Sequence, residues 1–347
     1  MSPKAAGRPP RLLLIKLSAL GDVIHALPTL EALRTAFPQA GITWLVEAAY
    51  APLLAGHPAL DRVLVAPRVR PGRPGWGREL AAALRLAGRL RRESFDLVVD
   101  LQGLLKSAFW TALARSPRKV GYDRTREGSW LPLTERLEPF DPEAHAVWRY
   151  LNVAHYVGAP AAPPRFRLEH LAADSGGVSA PAGGQDLVIL HPGARWATKL
   201  WPAAAWAALA DWLAAQGLTV ALTGSGADRP LAAAILAHVQ RPLLPLVGET
   251  TLGELATLFR RARLAVTADT GPMHLAAALG TPVVALFGPT APWRTGPFGE
   301  GHEIVRLKLE CSPCFKRRCD RPRCLLDLAV PTVQEACMKL LRGTAHT

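Results

Sequence analysis

Residues 264–290 read LAVTADTGPMHLAAALGTPVVALFGPT. A short apolar run, Leu264 to Thr267, leads into Asp-Thr-Gly-Pro; a helical pattern follows from Pro272 to Leu279, and a second apolar run covers Val283 to Phe287. Two short continuous apolar runs separated by a helix predict parallel strands covered on both faces. Thr270 and Gly271 then open the helix at the carboxyl edge of the sheet, where backbone N–H groups and the helix dipole suit a phosphate. Gly271 lets the backbone approach a ligand closely. Pro272 sits in the first helical turn, where its missing N–H costs nothing, and His274 lies on the same end of the helix. The plainer alternative makes Asp269 and Thr270 helix caps and His274 a partly buried structural residue.

The alternation extends in both directions from this unit. Strand-like runs at Leu187 to Leu190 and Thr219 to Thr223 precede it, with helical patterns at Ala203 to Gln216, Leu231 to Val239 and Leu252 to Arg261. The first half repeats the layout: strands near Leu12 to Leu17, Thr43 to Val46, Arg62 to Val65 and Leu97 to Leu101, and helices near Glu79 to Arg92, Gly103 to Ala114 and Glu143 to Val157. A Pro-, Ala- and Gly-rich stretch from Ala159 to Gly184 reads as a linker with connecting segments. The expected fold class is α/β, with two tandem Rossmann-like domains, 1–170 and 185–330, facing a cleft, and a C-terminal helix and tail over 331–347. A chain of 347 residues is long enough for two such cores.

Ligands of this architecture sit at the carboxyl ends of the strands. That places KLSALGDVIHALP, Lys16 to Pro28, at a functional edge: the turn Ser18 to Asp22 leads into a first helix whose apolar side is Val23, Leu27, Leu30 and Leu33. Asp22 is either a cap of that helix or a carboxylate presented to a ligand. No G-x-G-x-x-G is present, which argues against a nicotinamide dehydrogenase. The first strand of the second half runs into HPGARWATKLWP, His191 to Pro202, which carries Thr198 and Lys199 to the same kind of edge.

Composition narrows the partners. With 41 Lys and Arg against 28 Asp and Glu, the formal charge is +13, which favours a polyanionic partner, although an arginine-rich composition also follows from a GC-rich genome. Nine arginines fall between Arg62 and Arg92, and part of that stretch, RVRPGRPGWG from Arg68, reads as a basic surface loop. Interleaved aromatics of the kind that bind single strands are missing from it, so nucleic acid is not expected. No secretory signal and no run of roughly 18 apolar residues is seen, so a soluble or peripheral cytoplasmic protein is expected. Five cysteines in such a chain make no disulfide framework. Four of them, Cys311, Cys314, Cys319 and Cys324, have the count but not the common spacings of a structural zinc site. The expectation is no metal and reduced thiols, made reactive by the surrounding Lys316, Arg317, Arg318, Arg321 and Arg323 if exposed.

DTGPMHLAAALGTPVVALFGPT, Asp269 to Thr290, together with LSALGDVIHALP near the N-terminus, resembles the heptosyltransferases of glycosyltransferase family 9 over nearly the whole chain. DLQGLLKSA, Asp100 to Ala108, TRE, Thr125 to Glu127, and HAVWRY, His145 to Tyr150, look most like the type I enzymes of that family. The resemblance implies a GT-B fold and transfer of L-glycero-D-manno-heptose from an ADP-heptose donor to Kdo-lipid A of the lipopolysaccharide inner core. It implies that domain 1–170 binds acceptor and domain 185–330 binds nucleotide sugar, without a cofactor. Carried over, Asp22 is the catalytic base; Thr198, Lys199, Asp269, Thr270, Gly271 and His274 bind the donor. The chemistry is consistent: displacement at an anomeric carbon needs a carboxylate to take the acceptor's proton on the face opposite the leaving group, and the leaving ADP needs a cation and oriented amides.

An acceptor bearing Kdo carboxylates and lipid A phosphates gives the basic segments a purpose. Arg68, Arg70 and Arg73 form one candidate acceptor-binding group; Lys106, Arg124 and Arg126 form a second. The same charge could place the enzyme peripherally on the anionic inner leaflet of the cytoplasmic membrane. Competing readings are a type II heptosyltransferase or another family 9 enzyme, a nucleotide-sugar epimerase on the same fold, and an anionic-glycolipid-binding protein without catalysis.

Overall fold

The computed structural model describes residues 8–172 and 186–343. The chain divides into two compact units, residues 1–170 and 171–347. In the first, β1 (Arg11–Ile15), β2 (Gly41–Glu47), β3 (Arg62–Ala66), β4 (Leu97–Asp100), β5 (Lys119–Tyr122) and β6 (Glu135–Leu137) form one parallel sheet in the order β3-β2-β1-β4-β5-β6. Its helices are α1 (Leu20–His25), α2 (Leu27–Ala36), α3 (Ala51–Leu54), α4 (Trp76–Arg92), α5 (Leu105–Leu113) and α6 (Ala146–Tyr156). β1 pairs with β2 on one side and β4 on the other, so the strand order reverses there. The crevice beyond the carboxyl ends of β1 and β4 is the ligand position that such a reversal creates.

The second unit repeats the plan. β7 (Leu187–His191), β8 (Thr219–Gly224), β9 (Leu244–Val247), β10 (Leu264–Ala268), β11 (Val283–Leu286) and β12 (His302–Val305) are parallel in the order β12-β11-β10-β7-β8-β9, with the reversal between β7 and β10. The helices are α7 (Ala203–Ala215), α8 (Arg229–Leu236), α9 (Leu252–Arg261), α10 (Gly271–Ala278), α11 (Pro292–Thr295), α12 (Arg323–Leu326) and α13 (Val330–Gly343). α13 packs on β12 and α7 and contributes Val333 and Cys337 to a core that includes Trp201, Trp206 and Leu213.

The parallel α/β class is as the apolar runs predict: LLLI of β1, LVVD of β4 and LAVTA of β10 are buried along their length. Two expectations change. The first helix is not continuous: α1 ends at His25 and α2 restarts at Leu27, because Pro28 brings no N–H and suits only a first turn. β5, β6, β9 and β12 escaped the reading because each has three or four residues and carries Lys, Glu, Arg, His or Pro. Pro245 is tolerated because β9 is an edge strand. Of the expected linker, residues 160–168 form no regular element and Glu169–Ala172 a short 3-10 turn; residues 173–184 lie outside the described residues.

Candidate active site

At the carboxyl ends of β1 and β4 the chain builds a fixed turn around Asp22. The N–H groups of Leu17 and Ser18 both donate to Oε1 of Gln102 at 3.0 Å, which ties the β1 loop to the β4 loop. The β4 loop is itself held by buried Asp100, whose Oδ1 accepts from the N–H of Gln102 (2.8 Å) and Gly103 (3.1 Å) and whose Oδ2 accepts from Thr111 Oγ1 (3.1 Å). Burial raises the Asp100 pKa, and those hydrogen bonds oppose the rise. Gly103 has φ +63°, a conformation that glycine adopts without strain.

Asp22 stands in the first turn of α1 with its side chain 43% exposed. Oδ2 accepts from the Ala19 N–H at 3.2 Å, so the capping reading holds in part. Oδ1 accepts from the Tyr150 hydroxyl at 3.0 Å. Behind them is Lys16, buried, donating to Tyr150 Oη (2.7 Å) and the Leu101 carbonyl (3.1 Å), with its Nζ 3.9 Å from Asp22 Oδ1. Burial lowers the Lys16 pKa while Asp22 pulls it up; burial, then Asp22, hold the Tyr150 hydroxyl far above its ordinary value. The tyrosine therefore stays a donor. Lys16, Tyr150 and Gln102 were not among the expected site residues, yet a lysine closing an apolar strand must find buried partners, and that signal was readable.

The candidate acceptor residues all follow strands of this sheet at the same edge. Arg68, Arg70 and Arg73 lie between β3 and α4, Lys106 in the first turn of α5, and Arg124 and Arg126 between β5 and β6. Lys106 alone among them is joined to the Asp22 turn, through Ser18 Oγ, and its charge is paired with Glu47 at 2.6 Å. Arg68, Arg73, Arg124 and Arg126 are exposed. Glu127 of the TRE segment accepts from the Leu105 N–H at 3.0 Å, so it fastens the start of α5.

In the second unit, Lys199 after β7 and Asp269 after β10 meet at the reversal point. Lys199 Nζ lies 2.6 Å from Asp269 Oδ2, donates to the Asp269 carbonyl at 3.2 Å and sits over the Trp196 ring at 4.7 Å. Asp269 Oδ2 also accepts from Thr290 Oγ1 at 2.5 Å. Thr270 is the N-cap of α10, Gly271 and Pro272 open it, and His274 is buried in its first turns. Asp269 thus holds Lys199 through Oδ2. Thr198 donates its hydroxyl proton to the Lys316 carbonyl at 2.9 Å, 118 positions along the chain. Gly193 permits close packing: a Cβ there would fall 2.5 Å from Asp228 Oδ1.

Cys311, Cys314, Cys319 and Cys324 line one cavity of about 440 Å³ together with Thr198 and Pro289. Among the described residues no three His, Cys, Asp or Glu side chains are grouped to hold a metal. Burial and the neighbouring thiols raise the Cys324 pKa, opposite to the activation that the basic sequence suggested.

A model of glycosyltransferase family 9 (heptosyltransferase) matches residues 83–324, and lipopolysaccharide heptosyltransferase 1 of Pseudomonas aeruginosa is 36% identical over 339 residues, covering 92% of this chain and 91% of the relative. The chain belongs to glycosyltransferase family 9. Lipopolysaccharide heptosyltransferase 1 of Escherichia coli K12 is 30% identical over 306 residues, 86% of this chain and 94% of that one. Among solved structures, E. coli heptosyltransferase WaaC with ADP superposes with a TM-score of 0.77 at 25% identity, over 95% of this chain and 99% of that one. A family 9 structure from Veillonella parvula, at 22% identity and TM-score 0.80 over 97% of this chain and 98% of that one, supports the fold. The chain is a GT-B glycosyltransferase of the heptosyltransferase family.

Proposed function

We propose that this family 9 enzyme transfers L-glycero-D-manno-heptose from ADP-heptose to a Kdo residue of Kdo-lipid A, with inversion, and that Asp22 is the general base. The observation that carries the reading is the Asp22 carboxylate: half-exposed at the strand reversal, and oriented by Tyr150 and Ala19. In the proposed step Asp22 takes the proton of the acceptor hydroxyl, the hydroxyl oxygen bonds to the anomeric carbon, and the bond to ADP breaks on the opposite face. Lys199, the N-terminus of α10 and nearby backbone N–H groups meet the charge that develops on the departing diphosphate.

The choice of donor and acceptor is supported by what the relatives are called. The P. aeruginosa and E. coli proteins are lipopolysaccharide heptosyltransferases 1, and an E. coli WaaC structure at 26% identity holds ADP-2-deoxy-2-fluoro heptose. Type 1 and type 2 relatives of E. coli K12 are nearly level, at 30% and 29%, so the preference for the Kdo acceptor rests on the 36% identity to the P. aeruginosa type 1 relative. The reading places the enzyme in the cytoplasm at a membrane that carries its acceptor; among the described residues no helix is long and apolar enough to cross one.

The test is ADP release from ADP-heptose by purified protein in EDTA, with and without de-acylated Kdo-lipid A. Acceptor-dependent release that survives EDTA is expected. Donor binding without acceptor-dependent ADP overturns the Kdo assignment and directs the assay to heptosylated acceptors.

A further inference from the structure

We propose that α4 and α5 of the first unit form a docking face for an anionic lipid bilayer. The inference deepens the proposed function, because it rests on an acceptor that is carried in a membrane. Trp76, Leu80 and Leu84 follow one another at four-residue spacing on α4, and all three are exposed. Leu105 and Phe109, four apart on α5, are exposed as well, at 61% and 54%. The two helices pack on each other, and Leu80, Leu105 and Phe109 line a single groove of about 670 Å³. Large apolar side chains gathered this way on a soluble surface mark an interaction site.

The surrounding charge selects the occupant. At 100° per residue, Trp76, Leu80 and Leu84 span an arc of roughly 80°, while Arg78, Arg85 and Arg89 fall on the opposite side of α4 and Arg91 extends the apolar arc at its carboxyl end. The loop that supplies Pro67 and Val69 to the groove also carries exposed Arg68 and Arg73. The acids nearest the groove are tied to backbone, Glu79 accepting from the Arg70 N–H at 3.2 Å and Glu127 from the Leu105 N–H, and they are outnumbered by the arginines of α4 and its preceding loop. A helix with an aromatic and leucine stripe, an arginine-rich reverse and a cationic margin suits the interface of an anionic bilayer. Leu105 immediately precedes Lys106, which is bonded to Ser18 of the Asp22 turn, so the docked edge is the edge that carries the carboxylate.

The experiment is co-sedimentation of the full-length protein with vesicles of phosphatidylglycerol and phosphatidylethanolamine, against phosphatidylcholine alone. Wild type is expected to partition onto the anionic vesicles, less so as salt rises. A Leu84→Gln/Phe109→Gln variant, its fold checked by thermal melting, is expected to lose at least ~10-fold of that partitioning. It is also expected to turn over de-acylated acceptor at the wild-type rate and vesicle-embedded acceptor more slowly. Equal partitioning of variant and wild type, or no preference for anionic vesicles, overturns the proposal. So does a loss confined to vesicles that contain acyl acceptor, which would make the groove a seat for the acceptor's own chains. Vesicle binding without turnover of soluble acceptor would instead refute the proposed function and leave the docking face standing.

Discussion

Replacing Asp22 with Asn separates catalysis from folding. The substitution keeps the side-chain shape and removes its ability to hold a proton. The Asp22 side chain is 43% exposed, but the Lys16 side chain whose Nζ lies 3.9 Å away is only 3% exposed, so removing the negative charge leaves a buried ammonium less compensated, at a cost of about 1–3 kcal/mol. Asn Oδ1 can still accept one of the two hydrogen bonds that Ala19 and Tyr150 now donate; losing the other costs about 1 kcal/mol. The fold therefore weakens by about 2–4 kcal/mol, a fall of roughly 5–15 °C in melting temperature. Removing a general base lowers the rate by ~10²–10⁴, equivalent to about 3–5 kcal/mol of barrier. Single-turnover ADP release with saturating acceptor, beside calorimetric titration of the donor, measures both. The expected result is a hundred-fold or greater loss of turnover with donor affinity unchanged. Full turnover with retained donor binding would refute the assignment of the base, and a parallel loss of donor binding would make Asp22 a donor contact.

Three further outcomes follow from the same geometry. Lys199→Met should weaken donor binding by ~10–100-fold, the magnitude of a hydrogen bond to a charged group, with little change in acceptor KM; calorimetry and steady-state kinetics check it. Lys16→Met should leave stability at pH 7 unchanged or slightly higher, since the buried ammonium is replaced by an apolar chain, while turnover falls. Because the folded Lys16 pKa lies below 10.5, wild type gains stability as pH rises toward that value, and the variant should lack this gain in melts across the alkaline range. Burial holds His57 and His191 at about 4 against an ordinary 6.5. Their neutral forms thus support the fold fully above pH 6.5, and that support, on the order of 3 kcal/mol each, is lost as pH falls toward 4; His191→Asn should flatten the acid limb of the stability curve.

What the sequence discloses depends on how local the cause is. Apolar runs such as Leu97 to Val99 and the caps of α10 are set by neighbours in the chain, and both were legible. The two strand reversals follow from pairings between β1 and β4 and between β7 and β10, which no spacing shows. Asp22, Lys199 and Asp269 were found because motifs carry them, but their partners were not: Tyr150 reaches Asp22 across 128 positions and Lys199 reaches Asp269 across 70. The segments DLQGLLKSA and HAVWRY were visible only as resemblance. In space, Gln102 clamps the Asp22 turn, Lys106 bonds to it and Tyr150 donates to the carboxylate. The bond from Thr198 to the Lys316 carbonyl is a further long-range contact that no spacing shows.

The two reversal points use the same pair of side chains in opposite order. In the first unit the lysine side chain is 3% exposed and the aspartate 43%; in the second the aspartate is 5% exposed and the lysine 15%. The buried member of each pair has its charge satisfied by fixed neighbours, Tyr150 and Leu101 around Lys16, Thr290 around Asp269. The more open member is left to face a ligand, held in one place by a partner that cannot leave. A carboxylate presented this way suits proton uptake from a hydroxyl, and an ammonium presented this way suits a diphosphate. Exchanging the two types at either point would bury the reactive group and expose its support, so the proposed function, with proton uptake in the first unit and donor binding in the second, rests on the order of burial more than on the presence of Asp and Lys.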